Sequence, residues 1–285
     1  MSGRPDAGLL AGSAVTWLFV PGSSPERFAK AAGSGAHAVI LDLEDAVAPK
    51  AKGAARRAVA EYLGAGKAAY VRVNAVDSQW HRKDIDAVAG QPGLRGVVLP
   101  KAEAPEEMPG VADALGRDAA IIALIETARG VLGAAKIADT DRVARLAFGS
   151  VDLALDTGVE DEEAGFLAAR SSLVLASRAA GLAGPLEGVT VDVRDAERAG
   201  ADAVRARRLG FAGKLCVHPR QLQPVLEAFA PAPDDVVWAE RVTEAVGSLE
   251  GGAVRVGGEM IDRPRVARAE AILARQRQIR RPPLA

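Results

Sequence analysis

Residues 37–47, HAVILDLEDAV, run apolar through Val39, Ile40 and Leu41 and then place Asp42, Glu44 and Asp45 within four positions. A short apolar, β-branched run of this kind reads as a buried strand. Each carboxylate at its end would cost several kcal/mol if buried without a partner. The strand must therefore end at a polar rim, where water, a cation or a substrate can meet the acids. Seven further runs share the pattern: AVTWLFV, AAYVRVN, RGVVLPK, AAIIALIE, VARLAFGS, GPLEGVTVD and GFAGKLCVHP. Between most of them lie Ala-rich amphipathic segments such as PKAKGAARRAVAEYLG, TARGVLGAAKIAD and VRDAERAGADAVRARRLG. Strand then helix, repeated eight times, predicts an α/β fold with a parallel sheet closed into a TIM (β/α)8 barrel. An open doubly wound sheet shares the alternation but usually carries a Gly-rich turn after its first strand, and neither GxGxxG nor GxxxxGK[ST] is present.

Composition agrees with a globular fold. The 285 residues are 49% hydrophobic, enough for a large core in one barrel-sized domain. Lys plus Arg, 36, nearly cancels Asp plus Glu, 37, and the charges are interspersed, so there is no electrostatic case for nucleic acid or an anionic membrane. Cys216 is the only cysteine, which rules out an intrachain disulfide and a Cys-based zinc site and fits a reducing compartment. With no signal-peptide pattern and no long apolar window, the expected location is cytoplasmic. Residues 1–13 read as a flexible extension, 14–230 as the barrel, and 231–285 as a C-terminal extension.

In a barrel of this class the chemistry sits where strands end. Those ends carry Asp42, Glu44 and Asp45, then Arg72 and Asn74, Lys101, Glu126, Ser150 and Asp152, Asp192, and His218. Glu126 and Asp152 close adjacent strands and could converge on one cation; two carboxylates with water or substrate oxygens suit Mg²⁺ rather than zinc. The alternative is that Glu126 caps the following helix and Asp152 is a first-turn helix charge. Arg72 could hold a substrate carboxylate bidentately, or pair with Asp42 or Glu44. His218 is a substrate contact or a satisfied strand-end histidine, and Lys101 a Schiff-base or an ion-paired amine.

The ordered segments WLFVPGSSPERFAKAAGSGAHAVILDLEDAVAPKAKGAARRAV, YVRVNA, VVLPKAE, ALIETARG, AFGSVDLALDTG and KLCVHPRQL resemble the citrate lyase β-subunit-like branch of the HpcH/HpaI aldolase superfamily, over roughly residues 15–275. The resemblance implies a TIM barrel, a homotrimer or larger homo-oligomer, and Mg²⁺ held by Glu126 and Asp152. It also implies that Arg72 binds the carboxylate of a small keto or hydroxy acid, aided by backbone amides around Gly149, Ser150 and Asp152.

The C-terminal segments DDVVWAERVTEAV, GGAVRVGGEMID and RPRVARAEAILARQRQ predict a helix, a short β-hairpin and a last helix. They look like the tail of CoA-ester lyases, which packs on a neighbouring subunit and lends it an aspartate, here Asp262. Asp262 in addition suits the N-cap of the final helix, with Pro264 as helix starter. The activity this implies is Mg-dependent cleavage or Claisen formation of a 3-hydroxy-dicarboxylyl-CoA thioester. On the resemblance, Glu44 and Asp45 are expected to hydrogen-bond Arg72, the metal's waters or both, Asp262 to be the base, and Arg27 and Lys30 to meet the CoA phosphates. The rivals are a citryl lyase subunit acting on a carrier protein, a class II aldolase, a thioester hydrolase and a non-catalytic barrel.

Overall fold

The computed structural model describes residues 11–116, 119–160, 162–247, 254–256 and 259–280. Eight parallel strands, each hydrogen-bonded to the next, close into a barrel. They are β1 Thr16–Pro21, β2 Ala38–Asp42, β3 Ala69–Arg72, β4 Leu94–Leu99, β5 Ala120–Ile125, β6 Val143–Phe148, β7 Leu186–Glu187 and β8 Gly213–Cys216. Pairing of Trp17 with Leu215 across β1 and β8 seals the ring. The TIM barrel read from the alternation is thus the fold.

Because strand side chains alternate, register decides what fills the barrel. Ile40 faces Tyr70, Asp42 faces Arg72 and Ile122 faces Arg145. The interior cluster takes Trp17, Ala38, Ile40, Tyr70, Val98, Ile122, Leu124, Leu186 and Leu215. The rings of Trp17 and Tyr70 meet at 4.6 Å. Each such large side chain, moved out of water, contributes about 1.5–3 kcal/mol. Arg72 therefore stands on the same inward face as Tyr70, one layer nearer the strands' C-terminal rim.

The seventh strand is shorter than its β-branched sequence suggests. It holds two residues and pairs with β6 through Ala147 and Leu186 alone. Beyond it, Gly188 turns so close to β6 that a Cβ there would lie 2.9 Å from the Phe148 carbonyl. Thr190 donates its hydroxyl to Asp202 at 2.7 Å, and its carbonyl accepts from Gln221 Nε2 at 2.8 Å. Side chains thus satisfy groups that a ladder would otherwise pair. Asp192 consequently ends no strand; it is exposed and accepts from the Arg194 amide at 2.9 Å.

Of the N-terminal stretch read as flexible, residues 1–10 lie outside the described residues. Residues 11–13 form a helical turn, and Ala11 is fully buried with its carbonyl accepting from Arg145 Nη1 at 3.0 Å. The chain divides into two compact units, with the change at Ala228/Phe229. In the second unit the helices Pro233–Gly247 and Arg263–Ile279 pack through Ala239, Val242 and Ala269, together with Ile261 of an antiparallel pair, Val254–Val256 and Glu259–Ile261. The residues 281–285 lie outside the described set. No described helix is long and apolar enough to cross a membrane.

Candidate active site

Glu126 follows β5 directly, and its side chain is almost wholly buried, at 3% exposure. Its Oε1 accepts from the Lys101 amide at 2.9 Å. Lys101 aims that amide from a left-handed backbone, φ 49°, uncommon for a residue with a Cβ. On the other side, β6 runs through Gly149 into the helix Ser150–Thr157. A Cβ on Gly149 would lie 2.5 Å from both Cβ and Oε2 of Glu126, so the glycine makes room for the carboxylate. Asp152 stands in the first turn of that helix, where a negative charge is favoured by the dipole.

Burial, and then the charges of Glu44 and Asp152, push the Glu126 pKa up to about 8. A carboxylate raised in this way, in a pocket that water reaches poorly, is held neutral by a proton or charged by a nearby cation. A cavity of about 60 Å³ is lined by Arg72, Glu126, Gly149, Ser150 and Asp152 together with Phe19 and Phe148. Among the described residues, no cluster of three or more His, Cys, Asp or Glu side chains could hold a metal by itself. A cation here would need oxygens from water or substrate as well.

Arg72 closes the other side of this cavity. Asp42 grips it bidentately, with Nε at 2.8 Å from Oδ1 and Nη2 at 2.6 Å from Oδ2. Glu44 Oε2 lies 3.0 Å from Nη1 as an ion pair rather than an aligned hydrogen bond, and Asp45 Oδ2 at 3.5 Å. Phe19 stacks beneath the guanidinium at 4.8 Å. Burial alone would lower the Arg72 pKa, but Asp42, Glu44 and Asp45 reverse that and hold it above the usual value. Glu44, desolvated and close to Asp45 and Asp42, is itself raised to about 7 despite Arg72.

The remaining residues singled out in the sequence fall elsewhere. His218 Nδ1 accepts from the Arg220 amide at 3.1 Å and caps the turn Pro219–Gln221, whose Gln221 side chain reaches back to the His218 amide. Arg27 and Lys30 are exposed beside the barrel, Arg27 within 3.7 Å of Glu26. Asp262 N-caps the helix Arg263–Ile279, accepting from the Arg265 amide at 3.1 Å. Sequence reasoning passed over Lys52 and Asp84, both buried, which brace the loop carrying Glu44. The signal was present: Lys52 falls on the stripe Lys52, Ala55, Val59 and Leu63, the buried face of the helix Lys52–Gly64.

The sequence model of the HpcH/HpaI aldolase/citrate lyase family matches residues 16–219, which carry every one of these cavity residues. The chain belongs to that family. It is, with the family, a lyase of the citrate lyase β-subunit-like kind. A citrate lyase subunit beta-like protein of Mycobacterium tuberculosis is 38% identical over 266 residues, covering 91% of this chain and 94% of the relative. A (3S)-malyl-CoA thioesterase of Cereibacter sphaeroides is 34% identical over 273 residues, covering 90% of this chain and 95% of the relative. Among solved structures, the CitE protein of Mycobacterium tuberculosis in complex with magnesium, acetoacetate and coenzyme A superposes with a TM-score of 0.77. It has 37% identity and covers 92% of this chain and 98% of that one.

Proposed function

We propose that this HpcH/HpaI-family chain cleaves, or forms by Claisen condensation, a 3-hydroxy-dicarboxylyl-CoA thioester such as malyl-CoA or citramalyl-CoA. The products of cleavage are an acyl-CoA and a small 2-keto acid. The observation that carries this reading is the single cavity shared by Arg72, Glu126 and Asp152. The relatives bound to magnesium with acetoacetate and coenzyme A, or with pyruvate, support it.

The residues fit a magnesium ion, because Glu126 and Asp152 are hard oxygen donors that repel one another until a cation lies nearby. A divalent ion held there would stabilise negative charge developing on the reacting oxygen. Arg72 orients the substrate carboxylate. Asp42 takes its Nε and one Nη2 hydrogen, so of the guanidinium's five N–H donors those of Nη1 and the outer Nη2 hydrogen remain for Glu44, Asp45 and a ligand. The backbone amides of the first turn after Gly149 add donors at a helix N-terminus. In cleavage, the substrate hydroxyl loses its proton to solvent water, from which Asp262 takes one up, as the keto-acid carbonyl forms, and the breaking carbon–carbon bond leaves its electron pair in the thioester enolate. Asp262, supplied by a neighbouring copy in a homotrimer or larger assembly, protonates that enolate carbon and in condensation removes the same proton. Arg27 and Lys30 meet the CoA phosphates, and His218 borders the substrate end.

The thioesterase relatives favour a second reading, in which water releases free CoA from malyl-CoA. Incubating the purified protein and Mg²⁺ with acyl-CoA thioesters and glyoxylate, pyruvate or oxaloacetate, and identifying products by mass, separates the two. New hydroxyacyl-CoA masses support the lyase. Free CoA and a hydroxy acid, with no keto acid exchanged, would replace it by the hydrolase.

A further inference from the structure

We infer that Lys52, acting with Asn74, is a positioning residue that ties the exit of β2 to the exit of β3 and so sets Glu44 against Arg72. Lys52 directs all three ammonium hydrogens at one place. Its Nζ donates to the carbonyls of Leu43 at 2.8 Å and Glu44 at 2.9 Å, and to Asn74 Oδ1 at 2.8 Å. The three acceptors are neutral, and the Trp80 ring covers the ammonium at 4.9 Å. A desolvated charge with no carboxylate in hydrogen-bond contact is costly, and here it is spent on the two peptides from which the Glu44 side chain departs.

Asn74 is the other half of the clasp. It lies two positions beyond Arg72, and each of its polar groups is engaged. Its amide donates to Asp84 Oδ2 at 3.0 Å, its Nδ2 to the Leu43 carbonyl at 2.9 Å and to Asp84 Oδ2 at 2.5 Å, and its carbonyl meets His81 Nδ1 at 2.7 Å. Arg56 Nε, one turn along the helix from Lys52, holds Asp84 Oδ1 at 2.8 Å. Glu44 lies in the loop after β2 and Arg72 ends β3, and this cross-link between the two exits braces their 3.0 Å contact from behind. None of these residues belongs to the barrel's interior apolar cluster. A cavity of about 370 Å³ reaches Lys52, Asn74 and Trp80 from the side, beside Glu44 and Lys101, leaving the ammonium position open to small molecules.

The inference rests on the reading that Arg72 holds the keto-acid carboxylate. Its test measures condensation kinetics with each substrate varied in turn, and keto-acid binding by calorimetry, for the wild type, Lys52→Met, Lys52→Ala and Asn74→Ala, each checked by its melting temperature. The expected result for Lys52→Met is a keto-acid KM and Kd raised about tenfold or more, with the thioester KM within about twofold. Asn74→Ala, which leaves the ammonium on both carbonyls, shifts the same constants in the same direction by less. Methylammonium or ethylammonium restores keto-acid binding to Lys52→Ala. Folded variants whose keto-acid KM and Kd match the wild type, or that lose both substrates equally without amine rescue, would overturn this inference alone. A wild-type protein that binds no keto acid would overturn it together with the function on which it rests.

Discussion

Two arginines point into the same barrel, and they are treated in opposite ways. Arg72, near the C-terminal rim, touches three carboxylates, and those acids raise its pKa. Arg145, in register with Ile122 toward the other end, touches none among the described residues. Its Nε donates to the Gly184 carbonyl at 2.9 Å, and its Nη1 to Ala11 at 3.0 Å and Ala14 at 2.5 Å. Among the described residues its Nη2 has no hydrogen-bond partner, nor has the buried hydroxyl of Tyr70. Burial pulls the Arg145 pKa down, with only a small opposing effect from Tyr70. The difference separates structure from chemistry. At the N-terminal end a guanidinium clamps carbonyls and nothing more is needed. At the rim Asp42 alone satisfies one edge of Arg72, yet Glu44, Asp45, Glu126 and Asp152 gather there too, an excess of acidic groups that is relieved by protonation, as at Glu126, or by a cation.

The largest expected effect breaks the pair apart. Arg72→Met should lower kcat/KM by about 10³-fold, close to 4 kcal/mol of lost transition-state binding. Arg145→Met should leave kcat/KM within about twofold and lower the melting temperature by several degrees, since three carbonyls lose a buried donor. Steady-state rates and thermal melts on both variants decide it. Comparable activity losses in two folded proteins would erase the distinction.

A smaller effect is expected at Gly149→Ala. The added Cβ meets Glu126 at 2.5 Å, so Mg²⁺ affinity measured by calorimetry should fall about tenfold while Arg72 is untouched. Unchanged affinity would show that Glu126 has room to yield.

The rim's excess charge has a pH signature. Glu126 is raised from 4.5 to about 8, so the folded, metal-free protein binds a proton that the unfolded chain releases. Its contribution to stability is fully present below about pH 4.5 and is lost as pH rises through about 8. Metal-free wild type should therefore lose melting temperature across that window relative to Glu126→Gln, and a slope identical in both proteins would contradict the assignment. Smallest of all, His218→Asn keeps an acceptor for the Arg220 amide and should change KM by no more than about threefold if capping is its whole role. A tenfold rise in keto-acid KM would make it a substrate contact.

Much of this was legible in the sequence for a simple reason. Apart from the half-buried Phe19, Pro21, Arg72 and Arg95, every residue of the eight strands is buried, and continuous apolar runs are what burial on both faces requires. Polar residues directly after those runs then mark the rim, which is how Arg72, Glu126 and Asp152 stand out. The seventh strand misled because Val189, Thr190 and Val191 carry the same propensity, but Thr190 at their centre is tied by Asp202 and Gln221 instead of a neighbouring strand. The helix His81–Val88 is not marked in the sequence either, since it is short and begins close to the polar rim, whereas Asp152 does stand in the first turn of a helix, as one of its two readings had it. Lys52 escaped notice because a lysine in PKAKGAARR reads as a solvated face, and only its tertiary partners show it buried.

The most direct test is a calorimetric titration of Mg²⁺, with and without a keto acid such as pyruvate or oxaloacetate, into the wild type and into the Glu126→Gln/Asp152→Asn double variant. The wild type should bind about one ion per chain and hold it more tightly when the keto acid is present, and the folded double variant should bind neither. Equal magnesium binding by both proteins would place the ion elsewhere and remove the basis for lyase chemistry in this cavity.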